Sequence, residues 1–338
     1  AVKEAATRPP HDRVVGSVGV RFDTEEMVAL QLNGVYRSAR LPVDFSATLR
    51  LGRRVMAGAL ASWMPHKSAK VELGYTFRHN DIDICNAGHN DYKVVYNHHR
   101  ANLTLAGINI RNLVADLSVR WDYYNYTQLL ISRKMSPGDI TLTDDHYFSY
   151  HANVHYDSEN NGLFPTRGAR FVAEYAYVTD NLAHYNGHAG FSELSALWRM
   201  SFPITKQLTL QPMLYGRLLF GSEIPDVRRN MIGGLWFGHY LEQQMPFAGL
   251  GRIEATDNQF VACRLKAQAQ LTTNNFVLFK IVAAQHGDRL RNLLDHGPMM
   301  GYQLGYYYRT MFGPVGAALG YSSKADRPNF YINIGFEF

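Results

Sequence analysis

The sequence predicts an all-β chain, a 16-stranded antiparallel transmembrane β-barrel with one long loop folded inward. Three observations predict it. Apolar and polar residues alternate with period two along most of the 338 residues. The alternating runs are about 9–14 residues long, the length a tilted strand needs to cross hydrocarbon. Aromatic residues gather toward the ends of these runs (Trp63, Tyr123, Tyr124, Tyr126, Tyr147, Tyr306, Tyr307, Tyr308), as interfacial girdles require.

Composition agrees. The chain carries 21 Tyr, 18 Phe and 28 Gly with only 19% charged residues, a mixture suited to strands and turns. A transmembrane helix needs about 18 or more consecutive apolar residues, and here Arg, Gln, Asn or Asp interrupts every long run. Cys85 and Cys263 are too few for a disulfide framework and lack metal or redox spacing, so both read as structural. The formal charge of +5 is scattered through strands and does not point to nucleic acid. The opening Ala1-Val2-Lys3-Glu4 reads as already processed, or cut from something longer.

A barrel strand turns one face to lipid and the other to the lumen. In 207–220, Leu208, Leu210, Pro212, Leu214, Leu218 and Phe220 oppose Gln207, Thr209, Gln211, Tyr215 and Arg217. In 260–271, Val261, Cys263, Leu265, Ala267, Ala269 and Leu271 oppose Arg264, Lys266, Gln268 and Gln270. The same rule sets Leu117, Val119, Trp121 and Tyr123 against Asp116, Ser118, Arg120 and Asp122, and Leu194, Ala196, Trp198 and Met200 against Glu193, Ser195 and Arg199. At the end, Phe330, Ile332, Ile334, Phe336 and Phe338 share one face, and Phe336 with Phe338 read as a C-terminal assembly signal. A soluble sandwich also alternates, but with strands near the common 5–6 residues.

Strands are expected near 14–23, 26–37, 43–52, 54–64, 69–81, 91–107, 112–126, 145–157, 168–179, 190–203, 206–220, 258–272, 274–286, 298–311, 314–323 and 329–338. Tight turns such as 204–206 and 273–274 alternate with long connections at 82–90, 127–144, 180–189, 221–257 and 287–297. In bacterial barrels short turns lie in the periplasm and long loops outside. An even strand count then puts both termini in the periplasm of an outer-membrane protein. Residues 1–12, with Pro9 and Pro10, read as a periplasmic linker, and 13–338 as the barrel.

Three stretches carry a resemblance. Asp157 followed by Phe164-Pro165-Thr166-Arg167-Gly168 resembles the periplasmic turn of the Omp85 superfamily; Pro165 cannot donate to a ladder and Gly168 permits a strained turn. In the longest loop, Gly233-Gly234 precedes Gln243-Gln244-Met245-Pro246-Phe247-Ala248-Gly249-Leu250, similar to the superfamily loop that folds back into the lumen between the eleventh and twelfth strands. Most members place an Arg at that tip, anchored on the inner wall. Here Gln243, Gln244, Pro246 and Phe247 stand there instead, which resembles the barrels joined to patatin-like phospholipases in Bacteroidetes-type bacteria and counts against insertase or translocase activity. The opening Gly19-Val20-Arg21-Phe22-Asp23-Thr24-Glu25-Glu26 resembles the first hairpin of those barrels.

The resemblance implies a barrel that anchors, and assists the passage of, an upstream patatin-like domain or other polypeptide, with the loop plugging the lumen. In the superfamily the seam between first and last strands is implicated in passing or inserting polypeptide. Arg264, Lys266 and Gln268 face the lumen and are expected to hold the loop by hydrogen bonds. Two other functions fit a polar lumen: a passive porin-like channel, and a structural barrel docking partners on its long loops. The implied surroundings are outer-membrane lipid and lipopolysaccharide, the outer-membrane assembly machinery during biogenesis, and an upstream domain or barrel partner.

No catalytic residue is assigned. The Gly-x-Ser-x-Gly elbow of a hydrolase has no match here; Gly190-Phe191-Ser192-Glu193-Leu194 comes nearest and is explained as wall. No metal or cofactor is expected. His151 and His155, four residues apart on a strand, are separated by about 13 Å, too far for one ion.

Overall fold

A computed structural model describes residues 11–24, 26–66, 69–86, 89–132, 140, 142–238, 240–325 and 327–336. The linker up to residue 10 and Phe338 of the expected assembly signal lie outside the described residues. Sixteen antiparallel strands form one closed wall. They are β1 Arg13–Asp23, β2 Met27–Arg37, β3 Val43–Leu51, β4 Val55–His66, β5 Ala69–Asn86, β6 His89–Ile110, β7 Leu113–Ile131 and β8 Asp145–Asp157. Then follow β9 Gly168–Thr179, β10 Phe191–Pro203, β11 Leu208–Phe220, β12 Gln259–Gln270, β13 Asn275–Gly287, β14 Met299–Thr310, β15 Gly313–Ser322 and β16 Asn329–Ile334.

Burial separates a membrane barrel from a sandwich. The apolar residues of each alternation face outward: Leu265, Leu304 and Leu319 are 44%, 55% and 57% exposed. Their polar neighbours Arg264, Lys266 and Gln268 are buried inside. A soluble protein would bury the first set; a wall surrounded by lipid exposes it.

Two expectations change. Of the connection expected at 82–90, the described residues are wall, because β5 runs to Asn86 and β6 begins at His89; β7 likewise continues to Ile131. In this stretch the alternation inverts. Ile82, Ile84, Val94 and Tyr96 turn inward into a buried cluster, while Asp81 and Asp83 face out and pair with Lys93 and Arg53 at 2.9 and 3.0 Å. Charges on the outer face belong beyond the hydrocarbon, so the tall strands rise past the membrane and enclose an apolar core of their own. For the same reason Tyr124 and Tyr147, expected in a girdle, are buried in this core; Tyr307, also expected there, packs inward in a separate cluster with Phe164 and Phe276.

Among the described residues the wall closes over a short seam. β1 pairs with β2 along its whole length. With β16 its described partners are Phe22 opposite Ile334 and Asp23 opposite Asn333. Thr24 extends the seam by one step, its N–H donating to the Ile332 carbonyl at 3.2 Å.

Candidate functional site

The lumen is crossed by the segment between β11 and β12. After a 3-10 turn at Asp226–Arg228, Met231–Ile232 pairs in parallel with Gln244–Met245 and antiparallel with Ile253–Ala255. Ile253 and Glu254 then pair in parallel with Ile84 and Cys85 of β5, so the loop leaves one side of the wall and docks against the other.

Charged groups of the wall hold its upper part. Asp122 of β7, with no exposed surface, lies 2.7 Å from His98 Nε2, 2.7 Å from Arg100 Nε and 3.0 Å from Arg228 of the loop. Arg100 reaches on to Glu242 of the loop at 2.6 Å. Arg217 of β11 pairs with Glu193 at 2.9 Å and donates to the Arg228 carbonyl and to Asn230 Oδ1, both at 2.8 Å. A charge brought out of water is costly unless paired and hydrogen-bonded, and here each carboxylate meets at least one guanidinium.

The tip is held by shape. Met245, Phe247, Ala248 and Leu250 pack with Met213, Tyr215, Phe260, Ala262, Val282 and Met299 from β11–β14. The Tyr215 hydroxyl donates to the Pro246 carbonyl. Gly249, at φ +82°, presses on β15: a Cβ there would stand 2.2 Å from the Tyr321 carbonyl carbon. Only a residue without Cβ fits both the left-handed backbone and that approach.

The expected site residues fall in three places. Gln243 donates to the Val227 carbonyl at 2.8 Å. Gln244 donates to the Gly233 carbonyl at 2.7 Å and accepts from the Tyr240 N–H at 2.7 Å, so both glutamines fix the loop's own path. Gly233 and Gly234 have φ of +127° and +69°, with their N–H groups donating to Met245 and Leu250 carbonyls. The expected wall anchors Arg264, Lys266 and Gln268 face the lumen, but among the described residues none bonds the loop. Arg264 and Lys266 donate instead to Gln211 and Gln268, each at 3.3 Å. The reason is depth: the tip packs level with Phe260 and Ala262, and β12 carries the three polar residues below it.

The turn between β8 and β9 enters from the other end. Asp157 accepts from the Glu159 N–H at 2.9 Å, and Gly168 sits at φ +105°. Phe164 stacks on Phe276 with centroids 4.1 Å apart, and Glu159 forms a two-pronged pair with Arg199 of β10. Pro165 is buried beside Phe164, and Arg167 donates its N–H to Asn160 Oδ1 at 3.2 Å. Between loop and turn lies a cavity of about 750 Å³.

The first hairpin joins this network. Glu26 receives Arg21 and Arg50 together with Arg54, the last at 3.0 Å. The Arg54 guanidinium also lies 4.3 Å over the ring of Tyr240 in the loop. Sequence reasoning missed Asp122, Arg100, Arg228, Glu193 and Tyr215 as loop anchors. Three of these stood on the polar faces already identified, but nothing local told which groups would meet.

A closed wall with lipid-facing apolar residues and a lumen filled by its own loop defines a transmembrane β-barrel of the outer-membrane kind. The chain belongs to the OMP85 superfamily, whose model matches residues 64–338. Among solved structures it is similar to BamA from Haemophilus ducreyi lacking POTRA domains 1-3, with a TM-score of 0.73 at 12% identity, over 96% of this chain and 71% of that one. It is also similar to CdiB from Acinetobacter baumannii (TM-score 0.60, 10% identity, 96% and 60%) and CdiB from Escherichia coli (TM-score 0.61, 13% identity, 96% and 63%). The chain thus spans less than two thirds of either CdiB chain. No curated protein matched its sequence.

Proposed function

We propose that this chain is the membrane barrel of an export protein: it anchors an upstream domain of the patatin-like phospholipase branch, its termini face the periplasm, and polypeptide passes at the β1–β16 seam while the loop keeps the bore closed. The observation carrying this reading is the seam, where Phe22 and Asp23 are the described β1 residues paired with β16. A wall held along whole strands elsewhere opens most cheaply there, since each ladder bond adds to the cost of parting two strands. The first hairpin and the loop share Arg54, so movement of the plug is felt at the seam. The relatives' chains extend beyond the part this barrel matches, which supports a further segment here.

The test is a reversible lock. Phe22→Cys with Ile334→Cys, in a Cys85→Ser/Cys263→Ser background, is oxidised while export of the upstream domain is followed. Export lost on oxidation and regained on reduction supports the reading. Export that persists through a locked seam removes it. The intact mass of the protein from its native outer membrane tests the anchor separately, because a mass equal to the 338 residues leaves nothing to anchor.

A passive channel is the second reading, favoured by the 750 Å³ cavity. Single-channel conductance that is already high in the intact protein, and unchanged when 240–250 is deleted, would select it.

A further inference from the structure

Below the loop tip, the inner wall of β10–β13 carries more positive charge than its carboxylates balance. The register sets Arg199 opposite Met213 and Met213 opposite Arg264, then Gln211 opposite Lys266 and Lys266 opposite Lys280. All the charged members of this set lie on the lumen face of adjacent strands. Arg264 is 9% exposed and Lys266 6%. Glu159 of the β8–β9 turn is committed to Arg199 by two hydrogen bonds. Among the described residues no carboxylate lies within ion-pair distance of Arg264 or Lys266, whose hydrogen bonds go to the neutral amides of Gln211 and Gln268. The Arg264 Nε, buried, has no hydrogen-bond partner.

Physics makes this arrangement costly as it stands. Like charges directly opposite across two strands repel, and a buried cation needs a counter-charge as well as hydrogen bonds. Arg199 and Arg264 line the cavity together with Gly162 of the turn, and Lys266 stands next to Arg264 on the same face of β12. Over the whole cavity nine arginines stand against three glutamates. Arginine presents a planar fork matched to oxyanions, and two such forks with an ammonium beside them suit a phosphate-type group better than a monovalent halide.

We infer that the floor of the lumen cavity, lined by Arg199 and Arg264 with Lys266 two residues from Arg264 on the same face of β12, is a binding site for a multivalent phosphate-type oxyanion. The inference rests on the wall alone and not on the export reading. The anion completes the charge balance of the lower lumen and bridges β10 to β12, beside the turn that closes the cavity from below.

The experiment is calorimetric titration of the refolded full chain, in zwitterionic detergent at low ionic strength, with inorganic pyrophosphate. The expected result is saturable binding at one site, weakened at least tenfold in Arg264→Gln and in Lys266→Gln and unchanged in Arg309→Gln, a cation outside the cavity. No saturable heat, or equal affinity in all four proteins, overturns the site. Should the two lumen variants fail to fold, the unaltered chain decides. Binding displaced by inorganic phosphate but not by chloride at matched ionic strength supports the site, whereas equal displacement by chloride reduces it to screening and overturns it. A lipid headgroup phosphate has the same chemistry. Repeating the titration with phosphatidylglycerol in the micelles assigns the source: competition shows that headgroups reach the site, and its absence shows a soluble anion.

Discussion

Asp122 of β7 and Arg228 of the lumen loop meet at 3.0 Å, in a lumen network where the same carboxylate also holds His98 and Arg100. Removing one partner of a buried pair costs about 3–5 kcal/mol, because the remaining charges stay buried. Asp122→Asn leaves Arg100 its contact with Glu242, but takes from Arg228 its shortest ion pair. The expected outcome is a barrel that still forms while its loop undocks. Trypsin should then cut after Arg228 or Arg229 in Asp122→Asn and spare the unaltered protein, and conductance should rise. Resistance equal to the parent would mean the loop is held elsewhere.

The tip offers a graded comparison. Tyr215→Phe removes a single hydrogen bond, to the Pro246 carbonyl, at a cost of about 0.5–1.5 kcal/mol. Phe247→Ala empties a fully buried aromatic site among Met213, Phe260, Val282 and Met299, at about 3–5 kcal/mol. Loop protection measured by backbone hydrogen exchange over 245–250 should therefore fall little in the first variant and strongly in the second. The reverse order would show that the hydroxyl, not the ring, seats the tip.

How much of this was written locally follows from the kind of interaction. The face of β12 could be read from period two alone, and Arg264, Lys266 and Gln268 are inside as that period requires. The rise of β5 beyond residue 81 could not, because Asp83 looks like loop until it is seen that Ile82 and Ile84 continue the buried parity of Gly74 and Asn80, with the apolar residues now inside and the carboxylates outside. The loop's existence between the eleventh and twelfth strands was legible from its length and glycines. Its anchors were not: Asp122 and Arg228 are 106 residues apart, and a pattern of period two says which way each side chain points but not what waits across the lumen.

Gly249 tests whether the loop's backbone is pressed against the wall. An L-residue at φ +82° pays about 1–2 kcal/mol for the conformation alone, and its Cβ would also meet the Tyr321 backbone at 2.2 Å. Gly249→Ala should lower the temperature at which the unheated barrel loses its compact gel mobility. Gly162→Ala is the control, because nothing lies within 4 Å of its added methyl and its φ is not left-handed. Equal midpoints for the two variants would mean that β15 yields freely to the loop.

The two cysteines report on the membrane itself. Cys263 is exposed on the outer face of β12, beside Leu265 and across from Leu214 and Ala283, while Cys85 is buried where the loop pairs with β5. If the outer face meets hydrocarbon, Cys263 in proteoliposomes is shielded from a charged, membrane-impermeant maleimide and open to an apolar one. A pyrene placed on it should then be quenched by lipids brominated along their chains, because the label sits at the depth of the bromine atoms. Cys85 should stay unlabelled by either reagent until the chain is unfolded, so Cys263→Ser abolishes the apolar labelling. Rapid modification of Cys263 by the charged reagent in intact proteoliposomes would put that face in water, and with it the case for a lipid-facing wall at β12 would fall.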